Sequence, residues 1–363
     1  MVNKNPAGSL SAPVRDRAAV ATLKAKFQVQ NVALVVAFFV ALLLVPLIPG
    51  FKGWMASQAA LVVVYILAAQ GLSILTGYTG LVSVGHGGFL AIGAYTAALL
   101  VKHANADIVL SLIAGAAMAG VIGMLMALVF LRLAGPFLAI GTLGFAFFVG
   151  TVVNNVKFFE GREGISVPAN HALGLPVGDI GFYYISIILL ALVTLFIYSL
   201  VRSSVGRALK GLRDAEKAAQ SCGVNRLLYR TLAFTISAAI TGLAGALSAL
   251  TTRYVSAEVF GDIWYSVDFL VAAVVGGSAM LMGPIVGGIF VAMLPFFLEK
   301  LADFAFILKG VALIAVLMFA PAGVCDVIAR PFRAWRRRRL ERAAAGEEPV
   351  RREPPVVALE GKS

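Results

Sequence analysis

Between residues 32 and 319 the chain repeats one pattern: apolar runs of about 20 residues, separated by polar or glycine-rich breaks. A helix of that length crosses about 30 Å of hydrocarbon at about 1.5 Å per residue. Membrane barrels alternate polar and apolar residues in short segments, so continuous runs predict α-helices. The runs fall at 32–49, 57–76, 108–131, 137–156, 183–201 and 231–251, and a further helix leaves a glycine-rich stretch at 77–88 and ends near Val101. Residues 263–298 are too long for one helix; Gly276-Gly277-Ser278 and Gly283-Pro284 interrupt them, which predicts two short or discontinuous helices. A pair that crosses twice and a re-entrant hairpin both begin and end on one side, so both forms stay open. A last run at 310–323 completes an all-α polytopic membrane protein of about ten transmembrane helices with discontinuous or re-entrant segments.

Composition agrees with a bilayer. Sixty per cent of residues are apolar, 13% are charged and the mean hydropathy is +0.92, whereas about a quarter of the residues in soluble domains are charged. The net charge of +12 is concentrated: five Lys or Arg lie in residues 1–31, seven in 202–230 and ten in 325–363, twenty-two of the thirty in the chain. Each block flanks an apolar run, which predicts cytoplasmic placement of all three and of both termini rather than nucleic acid as a partner. The expected organisation is an N-terminal tail (1–31), a membrane domain (32–324) with its polar loop at 202–230, and a basic, disordered tail (325–363). Arg336-Arg337-Arg338-Arg339 in that tail suits the anionic headgroups of membrane lipids. No cleavable signal peptide is expected, because a charge-bearing stretch precedes the first run and no small-residue cleavage site follows Pro49. Cys222 and Cys325 both fall on the cytoplasmic side, which argues against a disulfide.

Candidate chemistry is sparse. In the loop 202–230, Asp214 is placed to cap a short helix running through Gln220, and Gly223 to end it. Ala215, Ala218, Ala219 and Cys222 then share one small, smooth face that fits either a groove on a partner or the headgroup layer. The stretches 77–88 and 276–288 bring glycine to membrane depth, where non-helical backbone survives only inside protein or beside a water-filled cavity. Both are candidates to line a path; close helix packing of the small-xxx-small kind, which Gly283 and Gly287 serve, is the other reading. Their similar placement in the two halves hints at an internal repeat.

Asp268, Lys309 and His86 are among the few ionisable groups in or near the spans, and such scarcity argues against proton or sodium coupling. His86 is expected to hydrogen-bond a neighbouring backbone group rather than to relay protons. Asn154 and Asn155 either end their helix or contact a polar solute. The three histidines and two cysteines lack metal-ligand spacing, and no nucleophile–base constellation occurs, so neither a metal site nor an enzyme is expected. The terminal Gly361-Lys362-Ser363 lacks the upstream glycine of a phosphate-binding loop, Val356 standing in its place, so nucleotide energy has to come from another polypeptide.

Several motifs carry a family resemblance. They are Gly80-x-x-Ser83-x-Gly85-His86-x-x-Phe89-x-x-Ile92-Gly93-Ala94-Tyr95, Gly206-Arg207-Ala208, Arg213-x-x-Glu216-x-Ala218-Ala219-x-x-x-Gly223, Ala233-Phe234-x-x-Ser237-Ala238, Gly242-Leu243-Ala244-Gly245-Ala246, Ser266-x-x-Phe269-Leu270, Gly276-Gly277, Gly283-Pro284 and Phe319-Ala320-Pro321. In this order the chain resembles the permease subunits of branched-chain amino acid ABC importers, and among them the longer, LivM-like branch, over residues 61–323.

The resemblance implies a type II importer permease fold and alternating access driven by ATP hydrolysed elsewhere, with no cofactor bound by this chain. It implies that Arg213, Asp214, Glu216, Ala218, Ala219 and Gly223 belong to a coupling helix that docks on an ATP-binding subunit. Lys217, which separates Glu216 from the alanine pair, departs from the general form of that motif, and no Leu-Pro follows. It also implies that Gly80, Ser83, Gly85, His86, Gly88, Gly276, Gly277 and Gly283 lie near the translocation path, which Asn154 and Asn155 are candidates to join. The implied partners are a shorter homologous LivH-like permease, two P-loop ATPases and a periplasmic or extracellular solute-binding protein. The implied solute is a branched-chain amino acid or a related small polar molecule such as urea or an amide, and the location is the bacterial inner membrane. A secondary transporter or channel independent of ATPase subunits is the alternative.

Overall fold

The computed structural model describes residues 38–47, 52–133, 135–161, 163–168, 171–172, 175–257 and 263–298, with single positions at 310, 318, 323 and 325. The chain divides into two compact units, 41–327 and residues 1–40 with 328–363; of the second only 38–40 are described, as helix. The tail 1–31, most of the first and last spans, Lys309 and the basic tail with Arg336 to Arg339 lie outside the described residues.

Six helices among the described residues are long and apolar enough to cross a membrane. They are α1 (Gly53–Ser73, prolonged by a π-helical turn, Ile74–Thr79), α2 (His86–Ala104), α3 (Ile108–Phe130), α4 (Pro136–Asn155), α5 (Asp179–Arg202) and, after two short helices, α8 (Arg226–Thr252). Local chemistry sets several of their ends. The Asp107 carboxylate accepts from Val109 N at 2.9 Å at the start of α3, and the Asn225 side chain accepts from Leu228 N at 3.1 Å at the start of α8. Pro136 occupies the first turn of α4, where its missing N–H costs nothing.

Among the membrane-length helices α1 and α8 are the most enclosed, and α8 packs against α1, α2 and α3. Lipid supplies no hydrophobic drive between helices, so association depends on close approach through small residues. A Cβ on Gly93 of α2 would overlap the Gly242 carbonyl of α8, and one on Gly245 would overlap that of Leu90. At the opposite extreme, α4 and α5 leave Phe137, Ile140, Phe148, Leu192 and Leu195 exposed along one side each.

The helices α9 (Ile263–Gly276) and α10 (Gly283–Leu298) are the pair expected from the interrupted run. Their described parts, 14 and 16 residues, cover about 21 and 24 Å of a roughly 30 Å hydrocarbon layer, and the residues before Ile263 and after Leu298 lie outside the described ones. They form an antiparallel hairpin whose turn includes Gly277 at φ +98. Cβ atoms on Gly276, Gly283 and Gly287 would overlap the carbonyls of Gly283, Gly277 and Ala272, so the two backbones lie directly on each other. The hairpin packs on the middle of α1 through a cluster of Ala69, Ala272 and Val291.

The ends of the helices separate by chemistry. One end gathers the Lys102–Glu160 ion pair, Arg253 3.9 Å from Asp179, and a short antiparallel ladder that joins Ile165–Ser166 to Tyr254–Val255. The other end gathers the π-turn and the polar loop with helices α6 (Ser204–Asp214) and α7 (Glu216–Ser221). Helix α6 was not expected from sequence. It buries Gly206, Leu209 and Leu212 at three-residue spacing, a narrow apolar stripe that lays it along the protein.

Candidate functional site

The polar loop contains the expected short helix, with one correction at its start. Asp214 is not its cap: it is the last residue of α6, its carboxylate turned back onto Arg213 Nε at 2.8 Å. Ala215 breaks the two helices apart at φ −152, ψ 78, and contributes no side-chain cap. An α6 that ends one residue earlier would have freed Asp214, but the amphipathic stripe carries the helix through it.

The other end follows expectation. Gly223 sits at φ +85; its N–H donates to Gln220 O at 2.9 Å and Val224 N–H to Ala219 O at 3.1 Å, the paired closing bonds of a Schellman motif. On α7, Ala215, Ala218 and Cys222 are exposed together, while Ala219 turns in toward Gly211. Among the described residues the small face is thus exposed, apart from Ala219.

Two sets of polar contacts hold α7 and the end of α6 against the membrane helices. Glu216 is clamped by Arg226 Nη1 and Arg230 Nη2, each at 2.8 Å, from successive turns of α8. The Arg230 side chain is only 9% exposed, which makes the carboxylate its means of staying charged there. Arg213 Nη1 donates to Gly77 O at 2.5 Å in the π-turn of α1, and its stem passes over Gly80, which needs φ +72. Lys210 Nζ lies 5.6 Å from the centre of the Tyr78 ring.

The glycine-rich stretch is packed at Gly77 and from Gly85 to Gly88, while Gly80 and Val82 between them are exposed. A Cβ on Gly85 would overlap Thr142 O of α4, and one on Gly88 would crowd Phe145 and Ala146. Val84 N donates to Thr142 Oγ1 at 3.1 Å, and Gly87 N donates to Ser266 Oγ of α9 at 2.8 Å. A Cβ on Gly77 would overlap Ser278 O, so the two glycine-bearing stretches meet in space.

His86 is fully buried between Ser83 Oγ, 3.0 Å from Nδ1, and Ser237 Oγ, 2.7 Å from Nε2. Ser237 donates its one hydroxyl proton to Gly71 O at 2.6 Å, so it accepts from Nε2–H and Ser83 donates to Nδ1. Every hydrogen-bonding position of the neutral ring is filled, by side chains rather than by the expected backbone group, and the chain of bonds ties α1, α2 and α8 together.

Asn154 and Asn155 stand apart from this assembly. They end α4, with Asn155 Nδ2 on Thr151 O at 2.8 Å, and Asn154 lies twelve residues, about 18 Å of helix, beyond Thr142. Sequence reasoning missed Arg226, Arg230, Ser237, Ser266 and Thr142 as members of the assembly. Arg226 and Arg230 carried a signal, since their four-residue spacing puts both on one helix face ready for a single carboxylate. Ser237 and Ser266 stood inside quoted motifs without a partner to give them meaning.

Known proteins share much of this sequence. The chain is 32% identical over 292 residues to the high-affinity branched-chain amino acid transport system permease protein LivM of Escherichia coli K12, covering 73% of this chain and 68% of that protein. It is 28% identical over 135 residues to the ribose import permease protein RbsC of Haemophilus influenzae, covering 36% and 39%. It is 25% identical over 157 residues to a probable branched-chain amino acid transport permease protein, LivH, of Methanocaldococcus jannaschii, covering 40% and 49%. No solved structure matches. Residues 54–320, which include all but the first residue of α1, the helices α2 to α10, the buried histidine network and the clamped loop helix, match the family described as the permease component of branched-chain amino acid transport systems, and the chain belongs to that family.

Proposed function

We propose that this ABC importer permease forms half of a translocation path for a branched-chain amino acid or a related small polar solute, and that α7 is the helix on which an ATPase subunit docks. One observation carries the docking: a short helix outside the membrane spans, clamped at Glu216 by two arginines, leaves Ala215, Ala218 and Cys222 exposed among the described residues. A rigidly mounted, smooth face transmits force; a loosely tethered one does not.

In this reading the basic end is cytoplasmic, in the inner membrane, and ATP is bound and hydrolysed only by partner subunits. A second, LivH-like permease supplies the other wall of the path, two P-loop ATPases drive it, and a solute-binding protein delivers the solute to the ladder end. Solute then crosses between the two permeases, because this chain's own atoms already occupy the space beside Gly77, Gly85, Gly88, Gly276, Gly283 and Gly287. Gly80, Ser83, Gly85, His86, Gly88, Gly276, Gly277 and Gly283 shape that wall from behind by letting helices approach closely, while Asn154 and Asn155 stand at its outer end.

The test is gentle purification of the tagged full chain from its native membrane, alongside an Ala218→Trp variant of equal abundance. Two ATPases and a second permease accompany the parent, and the variant retains the permease but loses the ATPases. A chain that purifies alone and moves solute in ATP-free vesicles would instead be an independent carrier.

A further inference from the structure

We infer that Arg213 is the positioning residue that carries motion of the loop helix into the membrane, by holding the π-turn Ile74–Thr79 where it bears on the α9–α10 hairpin. The inference rests on the docking role of α7.

Three contacts lie in series. Arg213 immediately precedes the Asp214-Ala215 break between α6 and α7, so it moves with the junction on which a docked partner would act. Its guanidinium holds Gly77 O at 2.5 Å, and its stem lies against Gly80, where a Cβ would come 3.0 Å from Arg213 Cγ. On its opposite side, Gly77 is in backbone contact with Ser278, in the turn that joins α9 and α10.

The segment between these contacts is mechanically unusual. A π-turn holds one residue more per closing bond than an α-helix, so it can tighten to α-helix and shift the register of the residues downstream of it without breaking the helix above. It occurs at the C-terminal end of α1, where free carbonyls and the negative end of the helix dipole attract a cation. Arg213 satisfies one of those carbonyls from outside the helix, and Lys210 sits by Tyr78 in the same turn. Leu81 N–H already reaches back to Leu75 O at 3.2 Å. Taking the guanidinium away removes the external hold on Gly77 O and leaves the turn free to choose its own winding.

The chemistry also explains a choice of residue. Nε is engaged by Asp214 at 2.8 Å while Nη1 holds Gly77 O, so one planar group is oriented by its neighbour and aimed at the carbonyl. Lysine would supply charge without that fixed aim.

The experiment is hydrogen–deuterium exchange on the assembled complex, with and without a non-hydrolysable ATP analogue, in the parent and in Arg213→Met, which keeps an apolar stem over Gly80. In the parent, peptides covering 204–223 and 74–83 both change protection on nucleotide binding. In Arg213→Met the 204–223 peptide still responds and the 74–83 peptide does not, and ATP-driven uptake falls by about tenfold or more, the factor a charge-assisted hydrogen bond is worth. Arg213→Lys recovers part of both. If 204–223 responds in the parent while 74–83 does not, or if 74–83 responds equally in Arg213→Met, the transmission role is overturned and the docking role stands. If neither peptide responds in the parent, the docking role itself fails, and the inference with it.

Discussion

At the scale of single residues, the surprises concern what each side chain is bonded to. His86 lies in the membrane domain beside a glycine stretch, the setting in which a relay is first sought, yet both ring nitrogens are engaged by serines and one of those serines is engaged in turn by Gly71 O. His86→Ala leaves Ser83 and Ser237 without their partner and opens a cavity, at an expected cost of about 2 to 4 kcal/mol. Unfolding of the detergent-solubilised chain measures this, and collapsing a proton gradient across vesicles should leave uptake by the parent complex unchanged. Gly223 represents a different kind of cost. No described residue lies within 4 Å of a Cβ placed there, so the expected cost of Gly223→Ala is that of the left-handed backbone, about 1 kcal/mol. Faster tryptic cleavage at Lys217 in inside-out vesicles would report the frayed helix. Gly223 was legible in the sequence because a glycine after a short helical block has one common use; the filled shell of His86 was not, because Ser237 lies 151 residues away.

At the scale of elements, the loop helix α7 is too short to be stable by itself, since six residues form scarcely more than its costly nucleus. Its geometry is imposed by the Glu216 clamp and the Schellman end. Glu216→Gln keeps the shape and removes the charge, leaving the enclosed Arg230 without a counterion. The expected loss is about 1 to 2 kcal/mol, between the values for exposed and for buried pairs, because the carboxylate is a third exposed. A double-mutant cycle with Arg226→Gln on the stability of the purified complex should show coupling between the two positions, and additive effects would mean the pair contributes nothing. The hairpin α9–α10 is the interrupted pair read from the sequence, its two helices lying backbone on backbone across the glycine break. The assignment of Asp214 as a cap failed for an elementary reason, because local capping signals compete with the apolar stripe of the preceding helix and the stripe won.

At the scale of the molecule, α8 is enclosed by α1, α2 and α3, whereas α4 and α5 present long apolar sides with no neighbour from this chain among the described residues. Such surfaces meet lipid tails or a second membrane subunit. Leu192, 58% exposed and near the middle of α5, tests this directly. Leu192→Arg should cost about 2.5 to 3.5 kcal/mol of membrane insertion and lower the abundance of the chain, while Leu192→Phe is tolerated. Equal abundance of the two variants would place Leu192 at a water-filled surface.

The sequence by itself determined the solvent. Apolar runs of bilayer length, charge gathered in blocks and the spacing of small residues are local properties, and they were enough to place the long helices, the interrupted pair and the polar loop. The motifs, read in order, were enough to point to the family. Tertiary structure alone decided which groups meet: the Glu216 clamp, the Arg213 hold on Gly77, the contact of Gly77 with Ser278, and the packing of Gly85 and Gly88 against α4. The physical reason is that helices in lipid are selected by close packing and hydrogen bonding between distant segments, and those energies depend on partners that no local pattern of residues specifies.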